Sequence, residues 1–449
     1  MGKDFEKLTA GKKLFYGSGE AVSVISVTAI GLYFMYYLTD VVGISPAVAG
    51  TIFLVGRAWD AVVDPILGLG SDRVNTRFGR RRPFFLGATF FLLIFSALLW
   101  NKADFGSYTV IYYILAYVGV VTAVSSYHVP YLSFITELTD DYNERTSVSN
   151  YRIACQLIFG LVAAVIPKMI SDAFHDPALG YRAMGIGIGG FISILAFVIF
   201  LFSKERPRAS VEIKLNVKEE LISVFRNRPM RYLLLIYVGC YAAANVIEGF
   251  VIYYMKYWLN READMSILLV IVILTGVISL PIWTVISKKI GKRNTIFYGL
   301  LLWAIAQVTW LLVAPGSNPL VVYFVGAFAG VGYGVAHVLP WAMLPDVLDV
   351  DELETGRRRE GLYSGVMTFF MQLSNSVAIF IIGIVLQLAG YVPNVGQTPT
   401  ALSTIKWTMA LAPGVFVLLG LITTLFYPYT KEKHLEIRKT LDENQKRIA

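Results

Sequence analysis

The stretch SKERPRASVEIKLNVKEELISVFRNRPM, residues 203–230, decides how this chain is organised. It is the one long polar segment in 449 residues that are otherwise 56% hydrophobic and only 16% charged. A soluble domain carries about 25% charged residues, and a mean hydropathy of +0.61 places the chain in the membrane class. On either side of the polar stretch lie apolar runs of the length a helix needs to cross a bilayer, about 20 residues. We read twelve of them, at 15–38, 48–70, 83–100, 108–132, 151–170, 183–202, 232–258, 265–286, 295–314, 320–343, 362–389 and 403–427. The polar stretch divides them six and six. The expected fold is therefore an all-α membrane protein of twelve transmembrane helices in two six-helix halves. Its parts are an N-terminal half at 1–202, a central cytoplasmic loop at 203–230, a C-terminal half at 231–427 and a cytoplasmic tail at 428–449.

The net charge of +8 is distributed in a way that fixes topology. Loop 71–82 carries Arg73, Arg77, Arg80, Arg81 and Arg82; the polar stretch and loop 287–294 are equally basic. The alternate loops 39–47, 315–319 and 390–402 contain no Lys or Arg. Basic loops stay on the cytoplasmic side, so both termini are expected there, in a cell inner (plasma) membrane. This topological charge leaves no reason to expect a nucleic-acid partner. Cys155 and Cys240 lie inside apolar runs, where packing is expected rather than a disulfide. The first apolar run is too long, and lacks the small-residue site, for a cleaved signal peptide.

The halves echo each other. SDRVNTRFGRRRP (71–83) returns as SKKIGKRNT (287–295), and HVPY (128–131) returns as HVLPW (337–341). Each His-Val element is followed by an acidic-then-basic loop, ELTDDYNER in one half and PDVLDVDELETGRRRE in the other. Parallel six-helix repeats of this kind resemble the major facilitator transporters.

The second apolar run carries an unusual cost. In RAWDAVVDPILG (57–68), Asp60 and Asp64 stand four apart, stacked on one face of a helix. Two like charges at membrane depth repel each other, and each is expensive to bury. A cation held between them offsets both costs. The alternative is that Arg57 or Arg152 locks them and they bind nothing.

Several motifs are similar to the glycoside–pentoside–hexuronide:cation symporter family: YGSGE (16–20), MYYLTDVVG (35–43), RAWDAVVDPILG, GRRRP (79–83) and GYVPN (390–394). The similarity spans nearly the whole chain. HVPY, IEGF (247–250) and LPWAMLPDVLD (339–349) resemble the family's sodium-dependent lysophosphatidylcholine symporter branch more than its melibiose-permease branch. The resemblance implies a coupling-ion site on Asp60 and Asp64, with Ser125 as a further oxygen donor and His128 as a neighbour or proton relay. It also implies departures. Where the melibiose-permease branch has Lys, Asp, Asp and Trp, this chain has Ser23, Val24, His128 and Leu132, and a Lys of both branches is replaced by Gln372. Much of the sugar-contacting apparatus is therefore missing. The polar and aromatic residues left for a substrate are Tyr33, Tyr37, Tyr127, Arg152, Gln156, Asn245, Glu248, Trp341, Gln372 and Asn375.

Each of these has a plainer reading. Glu248 can hold a headgroup or a proton, or make a gating hydrogen bond. His128 can be a helix-packing hydrogen-bonder, and Arg152 one more basic residue at a cytoplasmic helix mouth. Asp72, Arg80, Arg81 and Arg82 form a loop motif shared among facilitators, expected to gate conformational exchange, with Asp346 and its acidic neighbours as the counterpart. Most of those acidic residues are expected to be solvated surface, and the tail a charged surface helix.

No phosphate loop, nucleophile elbow or metal-spaced Cys/His set is present, so the chain is not expected to be an enzyme or an ATP-driven pump. No cofactor is expected beyond a coupling ion, Na⁺ or H⁺. The expected activity is secondary transport: symport of a small or amphiphilic organic solute, glycoside-like or lysolipid-like, by a monomer in the bilayer. The alternative is a proton-coupled exporter of drugs or metabolites.

Overall fold

The computed structural model describes residues 8–74, 76–138, 142–203, 217–356 and 359–448. It contains twelve helices long and apolar enough to cross a membrane: Ala10–Phe34, Pro46–Gly68, Arg82–Leu99, Gly106–Ile135, Ser147–Asp172, Pro177–Phe202, Arg228–Trp258, Glu262–Ile290, Lys292–Leu312, Pro319–Thr355, Glu360–Leu388 and Pro399–Phe426. Among the described residues there is no strand, only an isolated bridge between Thr76 and Gly79. Backbone groups in lipid must be satisfied within the segment, and helices do that. The chain divides into two compact units, Met1–Glu212 and Ile213–Ala449.

In the first unit the third span packs on the fourth and sixth, the second on the fourth, and the first on the fifth. The first span is interrupted at Gly19, continues through π-helical turns at Ile30–Phe34 and Tyr37–Val42, and ends at Gly43. Gly19 is a close-approach position. A Cβ there would lie 2.5 Å from Tyr127 Oη and 2.7 Å from Tyr131 Cε2.

The second unit repeats the same pairings within itself: ninth on tenth and twelfth, eighth on tenth, seventh on eleventh. The repeat extends to single side chains. Arg82, at the start of the third span, donates from Nε and Nη2 to the Phe200 carbonyl at 3.1 and 2.9 Å. Arg293, at the start of the ninth, donates to the Thr424 and Leu425 carbonyls at 3.1 and 2.6 Å. Each guanidinium thus satisfies carbonyls left over at the C-terminal end of the sixth helix of its own half, where a positive charge also meets the helix dipole. The preceding residues match as well: Arg81 donates to the Ser133 carbonyl and Lys292 to the Ala342 carbonyl. Ser133 follows His128 by five positions, as Ala342 follows His337.

Three expectations change. The tenth span does not end near 343 but runs to Thr355, where Gly356 in the left-handed region (φ 68°) closes it. The acidic run is thus helix, and Asp349 and Asp351 are buried at 4% and 2% exposure rather than solvated. Asp351 holds its place because Arg359 binds it through two nitrogens and the Tyr363 hydroxyl donates to it at 2.9 Å. Second, the central stretch is not all loop: Val217–Arg226 is a helix, and Arg359 reaches back to Ser223 on it. Third, the tail helix Lys431–Ile448 is docked, with Ile437 and Leu441 buried against Val350. Both cysteines are free and buried.

Candidate functional site

The second span is helical through Asp60 and Asp64, so the carboxylates leave it one turn apart on one face. Asp60 is buried. Ser125 of the fourth span donates its hydroxyl to Oδ1 at 3.0 Å, and Arg57 Nη1 approaches Oδ2 at 3.5 Å. Asp64 is half-buried and acts electrostatically on Asp60. Beside the pair, Trp59 Nε1 donates to Thr122 Oγ1 at 2.8 Å, fixing the second span to the fourth. Pro65 sits inside the same helix. Having no N–H, it cannot make the usual helical hydrogen bond to the Ala61 carbonyl. A small cleft at Asp60 is lined by Ser26, Ile30, Arg57, Tyr117, Val121 and Val124. Among the described residues no three His, Cys, Asp or Glu side chains gather as a metal site. The donors present are two carboxylates and neutral oxygens, which suit a hard monovalent ion or a proton rather than a transition metal.

His128 is placed elsewhere than the cation-site reading expects. Its Nε2 lies 3.4 Å from Oε1 of Glu20, and Arg152 Nη1 donates to Oε2 of the same carboxylate at 3.3 Å. Neither Arg152 nor His128 locks the aspartate pair; both converge on Glu20. Glu20 is 4% exposed, on the first span. Reading the motifs one by one misses it, although a carboxylate inside the first apolar run carries the same signal that singles out Glu248. Around it, Tyr16 and Tyr131 exchange hydrogen bonds, and Tyr127 stacks on Tyr131 with centroids 5.4 Å apart. Tyr127 is fully buried, and its hydroxyl finds no partner among the described residues. Tyr33 and Tyr37 are packing residues: the Tyr33 hydroxyl donates to the Ala164 carbonyl, and that of Tyr37 meets Tyr113 Oη at 3.4 Å. Gln156 is exposed.

In the second unit Glu248 is half-buried, within electrostatic reach of Tyr241 and Tyr333. His337 lies between those two rings, with centroids at 4.7 and 4.2 Å. Trp341 meets Tyr237 edge-on at 5.7 Å. On the seventh and eleventh spans, Asn245 Nδ2 and Asn375 Oδ1 are buried atoms without a hydrogen-bond partner among the described residues. Gln372 is half-buried, and its backbone carbonyl accepts from Ser376.

Of the gating residues, Arg81 is buried and Arg80 half-buried. The Asp72 side chain lies outside the described residues. Asp346 accepts from Lys292 Nζ at 2.6 Å and has His434 of the tail helix at 3.8 Å.

Twelve spans, an internal six-helix repeat and buried charges at membrane depth define a multi-pass membrane transporter of the facilitator type, not an enzyme. The chain belongs to the MFS/sugar transport protein family, which it matches over residues 15–431. It is 30% identical to the glucuronide carrier protein homolog of Escherichia coli, over 96% of this chain and 95% of that protein. It is 27% identical to sodium-dependent lysophosphatidylcholine symporter 1 of Gallus gallus, over 98% of this chain and 90% of that protein. In fold it resembles a bacterial homolog of the human lysosomal transporter Spinster, captured inward-facing and occupied. The TM-score is 0.71 at 13% identity, covering 95% of this chain and 98% of the other.

Proposed function

We propose that this secondary transporter is a symporter that carries an organic solute into the cell by alternating access, coupled to Na⁺ or H⁺ bound at Asp60 and Asp64. The observation that carries the reading is Asp60 itself. It is a buried membrane carboxylate with a second carboxylate one turn away, a hydroxyl donor at 3.0 Å and only a long contact to Arg57. Such a group is costly unless it has a task. With the Ser125 hydroxyl, the pair offers oxygen donors of the kind a small cation takes.

The solute is glycoside-like or lysolipid-like. Relatives named for a glucuronide and for lysophosphatidylcholine support both. Arg152, Tyr127, Glu248, Trp341, Gln372 and Asn375 supply the polar and aromatic groups that would hold it. The basic loops support cytoplasmic termini in a cell's plasma membrane, and the reading takes the protein as a monomer.

The test is a thermal-shift screen of the purified protein against sugars, glycosides and lysolipids, each with and without Na⁺, since a ligand that binds the folded state raises its apparent stability. A solute that stabilises more in the presence of Na⁺, or at lower pH, supports symport. Solute stabilisation indifferent to both ions contradicts it.

A further inference from the structure

Three groups meet inside the first unit in a way the symport reading does not require. Glu20 is buried with 6% of its side chain exposed, whereas its two partners Arg152 and His128 are 24% and 27% exposed. The carboxylate is more deeply buried than either group that meets it. Arg152 gives Glu20 a single hydrogen bond, from Nη1, and makes no other among the described residues. A guanidinium has five N–H donors in a planar fork shaped for a carboxylate or phosphate. Here one of the five is used among the described residues, on a side chain that is 24% exposed. The other groups that face Glu20 are Tyr16 on its own span, Tyr127 and Tyr131 on the fourth and Cys155 on the fifth, with Arg81 behind Tyr16. None of these supplies another anion. Glu20 is the only carboxylate against Arg152 among the described residues.

We infer that Glu20 stands in for an anionic group of the solute: a carboxylate or phosphate binds by drawing Arg152 away from it. The proposal rests on the transport reading for what is carried, and it adds that the solute is an anion. The internal carboxylate keeps Arg152 neutralised and oriented between cycles, and it sets a threshold that only a better-placed, bidentate anion passes. Neutral solutes gain nothing at this position, because they cannot replace the charge that Arg152 gives up.

The experiment uses the full-length chain in detergent and two pairs of probes that differ only in the anion. They are methyl glucuronide against methyl glucoside, and lysophosphatidic acid against the monoacylglycerol of the same chain length, each titrated to a Kd. In one pair the charged member should bind at least about tenfold tighter than its neutral counterpart. Glu20→Gln, which removes the competitor, should tighten that charged probe by about five- to tenfold and leave the neutral one unchanged. Arg152→Ala should erase the preference. The responding pair tells whether carboxylate or phosphate is the group read. Should Glu20→Gln fail to fold, Glu20→Asp keeps the buried charge but withdraws it from Arg152, with the same direction expected. Equal binding within both pairs, no binding of either charged probe, or a Glu20 variant that leaves or weakens the charged probe's affinity overturns the inference. Ion-driven uptake that treats charged and neutral solutes alike also overturns it while leaving symport standing. Anion-selective binding without ion-driven uptake does the reverse.

Discussion

Tyr16 and Tyr131 each donate a phenolic hydrogen bond to the other's backbone carbonyl, at 2.8 and 2.6 Å, with their rings stacked 4.7 Å apart. This reciprocal clasp joins the first span to the fourth directly beside Glu20, and Gly19 makes room for it. Hydrogen bonds between membrane helices contribute about 0.6 kcal/mol on average and up to about 1.7. Tyr131→Phe should therefore cost about 1 kcal/mol, and the Tyr16→Phe/Tyr131→Phe pair less than the sum of the singles. Gly19→Ala should cost more than either, since its Cβ would collide with the Tyr131 ring and the Tyr127 hydroxyl. Apparent melting temperatures of the four variants check the order; a harmless Gly19→Ala would mean the clasp is looser than it is drawn.

Arg81 and Lys292 occupy matching places in the two halves, each bonded to a carbonyl of the helix that carries the His-Val motif. Arg81→Ala is expected to slow transport several-fold while solute affinity stays within a few-fold, as for residues that act on exchange rather than on binding. Uptake rates set beside Kd values decide it. Normal turnover with a large loss of affinity would put Arg81 in the binding machinery.

The tail helix is held by Ile437 and Leu441 against Val350, by Lys431 Nζ on the Lys288 carbonyl at 2.7 Å, and by His434 near Asp346. A charge at a buried apolar contact undoes such docking. Leu441→Glu should make the tail markedly more susceptible to limited proteolysis, without unfolding the spans. Unchanged cleavage would show that the polar contacts alone suffice.

Galactosides of the melibiose type should bind weakly or not at all, because Ser23, Val24, His128 and Leu132 replace the polar and aromatic side chains of the melibiose-permease branch. Sodium-stimulated melibiose uptake in a transport-deficient host would contradict this.

The spans and the aspartate pair are legible in the sequence because both depend on local properties. Hydropathy over about 20 residues marks a span, and a four-residue interval places Asp60 and Asp64 on one face. What is not legible depends on partners far along the chain. Glu20 looks like a helix-entry residue until the fold brings up Arg152, 132 positions away. Asp351 reads as solvated surface because its acidic neighbours do. Only Arg359 and Tyr363, on the next span, explain why it is buried and why the tenth helix continues past the membrane-length run. His128 is three positions from Ser125 and shares its side of the fourth span, yet the imidazole meets Glu20 while the Ser125 hydroxyl meets Asp60, a division set by partners on the first and second spans.

The central claim is that Asp60 and Asp64 hold the coupling ion. A carboxylate pair of this kind accepts either a proton or Na⁺, and the two should compete: Na⁺ affinity should fall as pH is lowered. The most direct measurement is accumulation of labelled solute in proteoliposomes under imposed Na⁺ and pH gradients, for the wild type, Asp60→Asn and Asp64→Asn. We predict that the wild type concentrates solute on at least one gradient and that each variant only equilibrates it. Concentrative uptake by Asp64→Asn on either gradient would contradict the account and make the pair structural.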